Sequence, residues 1–178
     1  EYDPLANTWA GKTAMLTARR GPAVVSFNGK VYVIGGMDGP YLAVNEEYDP
    51  VSNTWATKAA MPTARWGLGA AVLNSKIYIL GGHNGSYLPS NEEYDPVANS
   101  WLGKTGMPTA RWFPGAAAIN GRIYAIGGEN GGGLPGKRVT NEEYDPMANA
   151  WTTRTSMGSP RSGLAVAEVN GRIYAIGG

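Results

Sequence analysis

The sequence predicts an all-β protein, and three observations carry that prediction. The tetrapeptide Glu-Tyr-Asp-Pro begins at Glu1, Glu47, Glu93 and Glu143, at intervals of 46, 46 and 50 residues. Gly 26 and Pro 12 accompany 10% aromatics, a mixture that suits short strands joined by tight turns. No stretch carries a sustained helical apolar period, so no long helix is expected.

Further landmarks recur in phase with the tetrapeptide. A Trp follows each Tyr: Tyr2 and Trp9, Tyr48 and Trp55, Tyr94 and Trp101, Tyr144 and Trp151. An Arg follows each Trp: Arg19, Arg65, Arg111 and Arg161. Each unit ends in a Gly pair: Gly35-Gly36, Gly81-Gly82, Gly127-Gly128 and Gly177-Gly178. The chain therefore reads as one domain, 1–178, divided into units 1–46, 47–92, 93–142 and 143–178.

The second unit shows why each element is expected. Glu47-Tyr48 opens a strand, and Asp49-Pro50-Val51-Ser52-Asn53 is a turn, because Pro presets φ while Asp and Asn bond their own backbone. Thr54-Trp55-Ala56 is the next strand. Met61-Pro62-Thr63-Ala64-Arg65 is a loop, since Pro62 has no ladder donor. Gly67 to Leu73 is a third strand, rich in Gly and Ala. Asn74-Ser75 is a two-residue hairpin turn, and its equivalents Asn28-Gly29, Asn120-Gly121 and Asn170-Gly171 are the pair favoured in type I′ turns. Ile77-Tyr78-Ile79-Leu80 is apolar throughout, as in a strand covered on both faces.

A four-stranded antiparallel sheet with two apolar faces needs neighbours on both sides. Radial stacking supplies them, so the expected fold is a β-propeller of four-stranded blades. The small residues of the third strand place it innermost, where blades converge. The Gly pairs supply positive φ or close backbone approach.

Composition excludes several classes. There is no Cys, which removes disulfides, zinc–thiolate sites and cysteine nucleophiles. A net charge of +1 gives no reason to expect nucleic acid or an anionic membrane surface as partner. No apolar run approaches the length of a membrane span, and no signal peptide is visible. The sequence starts at Glu1, as expected of a processed product, a designed chain or part of a longer one.

These landmarks together resemble the kelch repeat: the Gly pair, the spaced Tyr and Trp, and the Asp-Pro-x-x-Asn turn. The WD dipeptide of another common propeller repeat is absent. Kelch propellers usually have more blades than four. Each unit here begins with an outer strand pair and ends with an inner pair, which gives three complete blades and two halves. The halves could close a four-bladed ring, could clasp those of a second copy in a homodimer, or could belong to a longer propeller.

Antiparallel parity places the loops after the Gly pairs on the same face as the repeated Arg residues. Those loops contain Met37-Asp38-Gly39-Pro40-Tyr41-Leu42, His83-Asn84-Gly85-Ser86-Tyr87-Leu88 and Glu129-Asn130-Gly131-Gly132-Gly133-Leu134. They vary, and varied loops on a rigid scaffold are where binding usually resides. The resemblance implies that the position after the repeated Arg faces a ligand, which names Arg20, Trp66, Trp112 and Ser162. With Asp38, Tyr41, His83, Tyr87 and Glu129 they form the expected ligand-binding set, Trp66 and Trp112 as stacking platforms and Arg20 as an anion contact. Asp38, Asn84 and Asn130 are in the first place turn residues, and His83, the lone His, reads as a polar loop residue. The repeated Trp is expected in the core. The repeated Arg is expected to pair with Glu47, Glu93 and Glu143, with each Glu doublet half paired and half solvated.

The function expected is non-catalytic: a binding or scaffold propeller for a protein or peptide, with no cofactor and no metal. The alternatives are a carbohydrate-binding or mutarotase-like propeller, with Glu129, His83 and Arg20 as the available acid–base groups, and a designed or structural repeat without ligand. The resemblance also brings in a copper oxidase of galactose, whose site needs a Cys and several His residues; this chain has no Cys and one His.

Overall fold

The computed structural model describes residues 1–131 and 136–178. Its strands are short. A two-stranded sheet opens the chain, β1 (Tyr2–Asp3) with β2 (Thr8–Trp9). Three four-stranded antiparallel sheets follow. The first holds β3 (Ala23–Phe27), β4 (Lys30–Ile34), β5 (Asn45–Asp49) and β6 (Thr54–Lys58). The second holds β7 (Gly69–Leu73), β8 (Lys76–Leu80), β9 (Asn91–Asp95) and β10 (Ser100–Lys104). The third holds β11 (Gly115–Ile119), β12 (Arg122–Ile126), β13 (Asn141–Asp145) and β14 (Ala150–Arg154). The pair β15 (Ala165–Val169) and β16 (Arg172–Ile176) ends the chain. This is the expected blade order. Among the described residues no helix is long and apolar enough to cross a membrane.

Turn chemistry sets the registers. Both central residues of each inner hairpin have positive φ, as a type I′ turn demands: Asn28 at 49° with Gly29 at 72°, and Asn74 at 50° with Ser75 at 61°. The Asp-Pro turns close on Asp49, whose carboxylate accepts from Val51 N–H at 2.8 Å and Ser52 N–H at 3.3 Å.

The small-residue strands are innermost: β3 packs on β7, β7 on β11 and β11 on β15. The core lies between blades, where Ile77, Ile79 and Leu80 of β8 are wholly buried, as expected of a strand covered on both faces. Each such side chain contributes roughly 1.5–3 kcal/mol. The Gly pairs join blade to blade. Gly82 N–H donates to Arg111 C=O at 2.9 Å, and a Cβ on Gly81 (φ 64°) would lie 2.4 Å from that same oxygen. Among the described residues no ladder joins the two half-blades to each other. The pairs β1–β2 and β15–β16 are separate sheets, and Ile176 stays exposed.

Two expectations need correction. The repeated Arg residues pair one position earlier than expected: Arg19 with Glu46 at 2.8 Å, Arg65 with Glu92 at 2.6 Å and Arg111 with Glu142 at 2.9 Å. Strand alternation is the reason, because neighbouring side chains point to opposite faces. Glu47 therefore turns away, to the Tyr32 hydroxyl at 2.5 Å and Lys58 at 3.2 Å. It is not solvated; nor are Glu93 and Glu143, which pair with Lys104 and Arg154. Arg161 donates instead to Gly177 C=O at 2.5 Å.

The repeated Trp is not fully in the core. Trp55, Trp101 and Trp151 are half-buried and bond back to the linker that leads into their own blade, with indole N–H to Thr13, Ala59 and Thr105 C=O at 2.9, 2.8 and 2.7 Å. Among the described residues Trp9 has no such acceptor, and it is 80% exposed.

Candidate functional site

The site begins with the buried Arg. In the second blade Arg65 donates to Glu92, to Gly81 C=O at 2.9 Å, to Thr63 C=O at 3.0 Å and to Ile79 C=O at 3.3 Å. Burial pushes its guanidinium below the usual value, and Glu92 works against that shift. Thr63 also donates to Glu92, at 2.7 Å. The chain is thus fixed just before Trp66.

The residue after each of Arg19, Arg65 and Arg111 then pairs through its backbone with the first residue after the Gly pair that follows it. Arg20 and Met37 exchange bonds of 3.0 Å each way, Trp66 and His83 bonds of 3.2 and 2.9 Å, and Trp112 and Glu129 bonds of 3.0 Å each way. The next residue along forms a chain of backbone bonds from blade to blade. Gly67 N–H donates to Gly21 C=O at 2.9 Å, Phe113 to Gly67 at 2.6 Å and Gly163 to Phe113 at 3.1 Å. Loop and mouth are therefore held by main chain, and the rings of Trp66, His83 and Trp112 are half-buried there.

Six of the nine expected residues form one cluster. Ring centroids lie 4.8 Å apart for Trp66 and Trp112, 5.3 Å for His83 and Trp112, 5.3 Å for His83 and Tyr87, and 6.0 Å for Tyr41 and His83. Most of these pairs are edge-on, the arrangement ring quadrupoles prefer. The Arg20 guanidinium lies 5.5 Å from the Trp66 ring centroid, within cation–π range. His83 Nδ1 accepts from Gly85 N–H at 3.2 Å, so this His also shapes its own loop.

The remaining three stand apart. Asp38 is exposed at the rim, in a hollow with Arg20, Met37 and Gly39. Glu129 is tied to the cluster through its backbone pairing with Trp112. Ser162 has no ring to contribute, and its neighbour Gly163 ends the chain of bonds around the mouth. Gly132, Gly133 and Leu134 of the third loop lie outside the described residues.

One member of the cluster is absent from the expected set. The Phe113 ring lies 4.8 Å from Trp112 and 5.4 Å from Trp66. A signal was present: Arg-x-Gly in three units, at Gly21, Gly67 and Gly163, becomes Arg111-Trp112-Phe113 in the third unit. Among the described residues Arg20, His83 and Glu129 make no side-chain hydrogen bond with one another. No group of three or more His, Cys, Asp or Glu that could hold a metal occurs among the described residues.

No curated protein compared with the chain matches it. The family model of the kelch motif does, at residues 18–62, 64–108 and 111–158. Kelch repeats are commonly protein-interaction modules, and the family is generally a non-catalytic scaffold. With matches over most of its length and blades of the corresponding form, this chain belongs to the kelch-repeat family.

Proposed function

We propose that the chain is a recognition module that binds a protein or peptide, without catalysis, at the face built by the loops after the Gly pairs and the positions after the repeated Arg. The observation that carries this reading is the contiguous cluster of Tyr41, Trp66, His83, Tyr87 and Trp112, with Arg20 at its edge. Rings held by a bonded backbone lose little freedom on binding, and aromatic and Arg side chains dominate binding energy where they occur.

The test is selection from a displayed library of random short peptides, followed by affinity measurement on variants. Trp66→Ala and Trp112→Ala should each weaken selected peptides by about tenfold or more, the loss of a hot-spot contact. Variants that bind like the parent would refute this site. A glycan array run in parallel separates the carbohydrate reading, which would be preferred if glycans bind and peptides do not. Binding to neither would leave the scaffold without a ligand.

A further inference from the structure

We infer that Phe113 sets the specificity of this face, selecting peptides that carry a large apolar side chain; the inference rests on reading the ring-lined face as a recognition surface. Phe113 has φ of 47°, while Gly21, Gly67 and Gly163 hold the same position in the other units at 59°, 66° and 66°. A bulky residue in left-handed backbone is strained, and such strain persists where it serves a site. The repeat shows what the other units do instead. The Trp66 ring covers Gly21, where a Cβ would lie 2.8 Å from it, and a Cβ on Gly67 would lie 3.4 Å from Trp112. At the third junction the sizes are exchanged, with Phe113 on one side and Ser162 on the other. The ring is thereby moved into the chain of mouth bonds, beside both Trp66 and Trp112, and it remains half-buried. Three rings at mutual distances of 4.8, 4.8 and 5.4 Å offer edges and faces to an apolar side chain.

The experiment selects peptides from the displayed random library on the parent and measures them on variants. Peptides that need Trp66 should share a large apolar residue and bind Phe113→Gly about tenfold or more weakly. Circular dichroism should show Phe113→Gly folded like the parent, since relief of strain counters the lost ring contacts. The double variant Phe113→Gly/Ser162→Trp rebuilds the arrangement of the other junctions and should stay impaired. Retention of such peptides by Phe113→Gly within about twofold, or full recovery in the double variant, would each overturn the inference. If no selected peptide depends on Trp66, the recognition reading itself fails and the inference falls with it.

Discussion

Replacing Glu92 by Gln removes one charge from a pair whose other member is buried and fixed. The Arg65 side chain has no exposure and the Glu92 side chain 8%, with 2.6 Å between them. After the change Arg65 keeps its carbonyl partners at Gly81, Thr63 and Ile79, but no carboxylate balances its charge. Breaking a buried pair costs about 3–5 kcal/mol, and because the Gln amide oxygen still accepts a bond, about 3 kcal/mol is expected here. Urea unfolding followed by circular dichroism measures the loss. A control is Lys76→Gln, which breaks a pair with Asp95 whose side chains are 32% and 25% exposed. It should cost less than about 1 kcal/mol. A loss below about 1 kcal/mol for Glu92→Gln would refute the reasoning that this pair clips the blade together.

Gly81→Ala should destabilise by about 2 kcal/mol or more, because the site needs positive φ and has no room beside Arg111 C=O; a neutral effect in the same urea assay would count against the inter-blade contact. Ser75→Gly should stabilise slightly, by about 0.5 kcal/mol, since Ser75 sits at φ 61° where the other hairpins use Gly; destabilisation would contradict the turn assignment. Burial holds the phenols of Tyr94 and Tyr144 up, to about 12, from an ordinary 10.0. In the unfolded chain they ionise first, so stability is full below pH about 10 and is lost as pH rises towards about 12. Tyrosinate absorbance and circular dichroism should change together in that window, and ionisation of all tyrosines near the ordinary value with the fold intact would refute the burial argument.

The blades were legible because each signal is local. Asn-Gly marks a hairpin by its φ requirement, and Ile77 to Leu80 marks a strand covered on both faces, whatever lies around them. The acid partner of Arg65 was less legible. Glu92 and Glu93 are chemically alike, and which one meets Arg65 depends on the phase of β9, a one-residue matter that inverts the facing. Whether the two half-blades meet was not legible either, since that depends on how β3, β7, β11 and β15 pack on one another and not on any one unit. Six of the nine residues expected at the face lie together because the loop after each Gly pair and the position after each repeated Arg are neighbours in the repeat. Phe113 was missed because it lies in a position otherwise occupied by Gly, where a conformational need hides the chance of a contact.

The most direct measurement of the recognition surface follows the indole N–H signals of the six tryptophans by NMR while a selected peptide is added. The signals of Trp66 and Trp112 should shift, and those of Trp55, Trp101 and Trp151, bonded to linker carbonyls, should stay in place. Movement of the second group with Trp66 and Trp112 unchanged would contradict this recognition surface.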